Sequence, residues 1–162
     1  MGFKILKAKY HLSAIFQKLG YKLIYGNKVS MGKGVTFRKC FSLCVDNNAK
    51  VSIGNDCFFN NGCSVNALEC VEIGDRCIFG ESVKIYDHNH KFRDKSKPMK
   101  DQGYTSGKVK IGNDCWIASN VTILKGVTIG SHCVIGANCL IYKDVPDNTI
   151  VKNSTEIIME TY

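Results

Sequence analysis

From residue 111 to residue 146 the chain reads IGNDCW-IASNVT-ILKGVT-IGSHCV-IGANCL-IYKDVP, with isoleucine opening every group of six and Cys or Val in every fifth place. An α-helix repeats about every 3.6 residues and a half-buried strand every ~2, so a strict six belongs to neither alone. A short fixed period marks a solenoid, whose units bury their apolar faces only by stacking on one another. Three groups of six make one triangular coil. The first residue of each group is expected to point inward as the large filler and the fifth as the small inward residue. Gly or Asn at the second, third and fourth places suits a corner where positive φ costs little.

Working outward, the same rule governs IGNDCF-FNNGCS from Ile53, IGDRCI-FGESVK from Ile73 and, more loosely, MGKGVT-FRKCFS from Met31. Stacked at the ~4.8 Å spacing between strands, about five coils give a prism ~25 Å tall. Two prolines and 15 glycines in a chain that is 44% hydrophobic fit such a turn-rich, all-β body. A chain of 162 residues has room for one compact domain plus a short accessory element. The expected organisation is a basic helical segment over 1–28, a parallel β-helix over 29–153 and a tail over 154–162.

Nine cysteines invite a disulfide reading, but their positions argue against it. Cys57, Cys77, Cys115 and Cys133 each follow an Ile-Gly pair in the same phase, and Cys63 and Cys139 sit in that phase one hexad later. A cysteine recurring in one phase fills a small buried apolar slot, and all nine are expected reduced. No CxxC pair occurs, which leaves a structural zinc site without support.

The net charge of +8 is concentrated, because residues 1–45 hold nine Lys/Arg and no Asp or Glu. Leu12, Ile15, Phe16, Leu19 and Leu23 recur at helical spacing and predict an amphipathic helix, with Gly20 as a stop inside it. On one reading this helix packs on the end of the main body with its lysines in solvent. On the other it meets an anionic membrane surface or a phosphate-bearing, lipid-linked acceptor. Basicity alone does not indicate nucleic acid, and no motif for it is present. No stretch approaches the ~20 apolar residues of a membrane span, and Lys7, Lys9, His11 and Gln17 interrupt any leader-like core, so a cytoplasmic protein is expected.

The repeat breaks once in its middle, after IFGESVKIYDHNH, and resumes at Val109. The polar segment 91–108 between them is expected to protrude as a loop, the usual place for function on a solenoid.

These hexads resemble the left-handed parallel β-helix acyltransferases, the hexapeptide-repeat family that includes galactoside, maltose and streptogramin O-acetyltransferases. The resemblance covers roughly 29–153 and alone supplies the handedness, since the general rule for parallel crossovers favours the right-handed form. It implies an acetyl-CoA-dependent O-acetyltransferase with acetyl-CoA as co-substrate and no metal, acting on a hydroxyl of a sugar or surface-glycan precursor. Direct transfer would occur in a ternary complex. It also implies His90 as general base, ten residues after Gly80, with His88 as competitor on the acceptor side. Asn60 matches the acceptor-binding asparagine. Trp116, the Ser119 N–H as oxyanion donor, Ala137 and Lys143 match the coenzyme A side. After Pro146 the chain departs from the family's Gly-x-Pro-Ala continuation, which puts the adenine-side contacts in doubt. A prism presents grooves without a second wall, so a homotrimer with sites between subunits is expected. Two other readings stay open: a zinc hydratase of the same fold, for which only His88, His90 and the distant His132 are at hand, and a non-catalytic scaffold subunit.

Overall fold

The computed structural model describes residues 2–154, with side chains from residue 8 onward; apart from Ser154, the expected tail lies outside them. The hexads fold into a left-handed parallel β-helix with three faces. Face I stacks Val29–Met31, Lys50–Ile53, Cys70–Ile73, Val109–Ile111 and Thr128–Ile129. Face II stacks Thr36–Phe37, Phe58–Phe59, Ile78–Phe79, Trp116–Ile117, Val134–Ile135 and Ile150–Val151. Face III stacks Ser42–Val45, Ser64–Ala67, Lys84–Tyr86, Thr122–Ile123 and Leu140–Ile141.

Parallel pairing puts each residue over its equivalent in the next coil, so one hexad position becomes one column through the prism. The first-place column on face II runs Phe37, Phe59, Phe79, Ile117, Ile135, all buried. Its three rings stack with centroids 5.5 and 4.3 Å apart. The fifth-place cysteines are buried as expected, and five of the six thiols find an acceptor one coil away, among them Cys57 on Gly74 O at 3.1 Å, Cys115 on Gly130 O at 3.0 Å and Cys133 on Pro146 O at 3.0 Å. All nine are free thiols. Burial pushes the Cys63, Cys133 and Cys139 thiols up from their ordinary range, away from the reactive thiolate.

The corners divide their labour more sharply than the expectation of interchangeable Gly and Asn. Positive φ falls on the fourth place, at Asp56, Gly62, Arg76, Asp114, Asn120, Gly126, His132 and Asn138. The second-place glycine answers a different need: a Cβ on Gly112 would lie 2.6 Å from Ser131 N in the next coil.

Helix α1 (Gly2–Tyr25) runs straight through Gly20, which is not a stop. It covers the open end of the first coil, but not with the expected seam. Ala14 is buried, and Tyr21 and Tyr25 pack on the core, while Leu12, Ile15, Phe16, Leu19 and Leu23 are exposed. The reason lies in the first coil, whose carbonyls have no preceding coil to accept from. Tyr21 Oη donates to Phe41 O at 3.2 Å and Tyr25 Oη to Leu43 O at 2.9 Å, bonds that leucines could not make. Among the described residues no helix is long and apolar enough to cross a membrane.

Removing the middle ring of the aromatic column leaves a cavity that the stacked coils cannot collapse to fill. Phe59→Ala is therefore expected to lower unfolding stability by about 3–5 kcal/mol, read from chemical denaturation.

Candidate functional site

Where the repeat breaks, the chain leaves face III at Asp87 and returns to face I at Val109. The excursion begins earlier than expected, because His88–His90 pairs antiparallel with Tyr104–Ser106 to make a neck. Lys91 N donates to Gly103 O at 2.9 Å and Gly107 N to Asp87 O at 2.8 Å, closing it at both ends. Lys108 pairs with Glu72 at 2.6 Å where the loop rejoins the prism, and that hydrogen bond draws the Glu72 carboxyl below its ordinary range.

Asp87 is fully buried. Its carboxylate accepts from Leu68 N, Glu69 N and Cys70 N at 2.8, 2.7 and 2.8 Å, and contacts His88 Nδ1 at 3.0 Å. The coil beneath explains this demand: Ile53 to Ile73 takes 20 residues where Ile111 to Ile129 takes 18, and the extra corner exposes N–H groups that need an acceptor. His88 is thus a half-buried ring oriented by a carboxylate. His90, two residues on, is exposed, and its ring lies 4.4 Å from that of Tyr104. It opens onto a cavity of about 630 Å³ lined also by Lys91, Phe92, Arg93, Gln102 and Lys125, which His88 does not line.

A second feature appears at the corner between faces II and III. Corner N–H groups are generally capped by a side chain from the next coil: Asn55 N by Asp75 at 2.6 Å, Asp75 N by Asn113 at 2.8 Å, Ser131 N by Asp147 at 2.6 Å, Glu81 N by Ser119 Oγ at 3.2 Å. The series then stops. The residue stacked on Ser119 is Ala137, which has no acceptor to offer. Among the described residues Ser119 N and Ala137 N donate to none. These two N–H groups border a groove of about 490 Å³ along Trp116, Ala118, Gly136 and Val151. Trp116 is 53% exposed, in an outward row with Phe58, Ile78, Val134 and Ile150. The matching rows are Ser30, Ser52, Glu72, Lys110 and Thr128 on face I and Ser42, Ser64, Lys84, Thr122 and Leu140 on face III, so among the described residues face II carries the most apolar exterior.

The structure therefore sorts the expected site residues onto two edges. Asn60, Trp116, Ser119 and Ala137 belong to face II and its corner with face III; the Asn60 carboxamide accepts from Asn61 N at 2.9 Å. His88, His90 and Lys143 belong to the corner between faces III and I, so Lys143 is separated from the other coenzyme-side residues within one chain. The width of face III, on the order of 15–20 Å for six extended residues, lies between them. His132 sits on the remaining corner, and among the described residues no three His, Cys, Asp or Glu side chains converge as metal ligands.

Residues 108–143 match the family model described as bacterial transferase hexapeptide, six repeats. The chain belongs to the hexapeptide-repeat transferases. This hexapeptide-repeat transferase is 38% identical over 125 residues to nodulation protein L of Rhizobium meliloti, covering 76% of this chain and 66% of that protein. It is 32% identical over 118 residues to an Escherichia coli protein named for O-acetyl transfer in lipopolysaccharide biosynthesis, covering 65% of this chain and 60% of that one. Against the crystal structure of a Vibrio cholerae hexapeptide-repeat acetyltransferase with acetyl coenzyme A it gives a TM-score of 0.65 at 26% identity, over 80% of this chain and 67% of that chain. The chain thus spans about two thirds or less of the length of these curated relatives.

Asp87 and Tyr104 escaped the sequence reading. The signal for Asp87 was present: an acid at the point where the hexads fail, following a coil two residues too long. Tyr104 had none, since only the antiparallel neck brings it to the histidines.

Ala137→Asp places a carboxylate over Ser119 N, as Asp147 lies over Ser131 N on the neighbouring corner. Hydrogen exchange at the Ser119 amide is expected to slow by about fivefold or more, the equivalent of ~1 kcal/mol for the added bond, while Ala118 is unchanged.

Proposed function

We propose that this chain is an acyl-CoA-dependent O-acetyltransferase acting on a hydroxyl of a sugar or surface-glycan precursor, working as a homotrimer with its sites between subunits. The observation that carries this reading is the division of the chemistry over two edges of one prism. Attack on a thioester requires base, hydroxyl and oxyanion donors within about 3–3.5 Å of the reacting atoms. A histidine on the III–I corner and free N–H groups on the II–III corner cannot meet that condition within a chain, but closed threefold packing sets one subunit's first edge against the next subunit's second. The apolar exterior of face II supports the same packing.

Within such a site the acyl-CoA thioester lies along the Trp116 groove. The Ser119 N–H, uncapped because Ala137 stacks on it, donates to the oxyanion as the acceptor hydroxyl adds to the carbonyl. His90, exposed and facing the loop cavity, takes the hydroxyl proton as the C–O bond forms and delivers it to the departing thiolate as the C–S bond breaks. Asp87 and His88 brace the strand that carries it. Asn60 faces the acceptor, and Lys143 reaches the coenzyme's phosphates from the adjoining subunit. A second assignment has a specific contact in its favour: the Asp87 carboxylate on His88 Nδ1 would orient that ring as the base instead.

Thiol release from acetyl-CoA over a panel of saccharide acceptors tests the activity, and light scattering at micromolar concentration tests the trimer. His90→Asn is expected to lower kcat ~10²- to 10⁴-fold with coenzyme A binding nearly intact, and His88→Asn about tenfold. The reverse order assigns the proton transfer to His88. Loss of neither, or a monomer in solution, sinks the shared-site mechanism.

A further inference from the structure

Helix α1 turns its lipophilic side away from the protein it caps. At about 100° per residue, Leu12, Ile15, Phe16, Leu19 and Leu23 fall within an arc of ~100°. Ala14, Tyr21 and Tyr25, on the opposite side, seat the helix on the first coil. The arc therefore points outward beyond the prism's end, with Phe16 67% and Leu23 87% exposed. Lys9 and Lys22, both exposed, flank it, each about 70° from its middle. No acid lies among residues 1–45, which hold nine Lys/Arg.

We propose that α1 docks this protein on an anionic lipid bilayer, with the Leu12–Leu23 arc at the acyl boundary and Lys9 and Lys22 among the headgroup phosphates. Two features of the molecule select this occupant over a second copy of the chain. Pairing two such arcs would bring Lys9 and Lys22 against their counterparts with no carboxylate on the helix to offset them. Side-by-side packing of prisms covers their lateral faces and not their ends, so the arc stays open in the assembly. In a threefold assembly of parallel prisms, three arcs share one end and engage one surface together, which multiplies a weak single attachment. The docking itself does not rest on the acyl-transfer reading.

The test is flotation of the full chain with vesicles of phosphatidylglycerol and phosphatidylethanolamine, and with vesicles of phosphatidylcholine alone. The chain is expected to float with the first and not the second, and to be released as salt is raised. The double substitution Phe16→Glu with Leu19→Glu should lower the vesicle-bound fraction about tenfold or more, leaving the melting curve and the light-scattering mass as in the parent. Lys9→Glu with Lys22→Glu should do the same through charge. Equal binding to both vesicle types, or undiminished binding of both variants, overturns the proposal. A change of mass in the Phe16→Glu, Leu19→Glu variant overturns it too, by making the arc a contact between copies. Acetyl-CoA turnover on a water-soluble acceptor is read separately, so failure of the docking and failure of the proposed chemistry give different results.

Discussion

The rest of this molecule follows from one constraint: each coil exchanges N–H···O=C bonds with the next at the ~4.8 Å parallel spacing, so that every residue is stacked on its positional equivalent. Gly32 N on Ile53 O, Gly54 N on Ile73 O, Gly74 N on Ile111 O and Gly112 N on Ile129 O are one bond repeated up the prism. A residue type that suits one coil then suits all, which is why isoleucine, cysteine and glycine recur in fixed places. Departures from the repeat become conspicuous because the column on either side advertises what should have been there. Ala137 matters for this reason. In a column whose other members supply an oxygen to their neighbour, a methyl group leaves an amide without a partner.

That same regularity explains what could be read from the amino acids alone. The faces, the inward columns and the place of the excursion were legible because they are periodic or are breaks in a period. The helix was legible as a helix, from Leu12 to Leu23, but not in its orientation. Apolar spacing says which residues share a side and not what that side meets, and here the terminal carbonyls of Phe41 and Leu43 drew the tyrosines inward instead. The neck was also beyond reach, since an antiparallel pairing of His88–His90 with Tyr104–Ser106 obeys no six-residue rule.

The two histidines show how close neighbours can be given separate surroundings by a two-residue step. His88 is tied through Asp87 to the extra corner of the coil beneath, and its ring is fixed by the requirements of that corner. His90 has left the prism and owes its position to the loop. A rigid anchor directly beside an open, reachable ring is the arrangement that lets a site be held precisely without being closed.

A β-solenoid has no built-in length: any coil whose carbonyls face outward is a template on which another strand can be laid, from the same chain or a different molecule. By occupying Phe41 O and Leu43 O with phenolic hydroxyls, Tyr21 and Tyr25 turn that growing edge into a terminus. The helix is in this sense a polymerisation stop. With two tyrosines on its outermost carbonyls, the first coil offers no acceptor at Phe41 or Leu43 to a further strand.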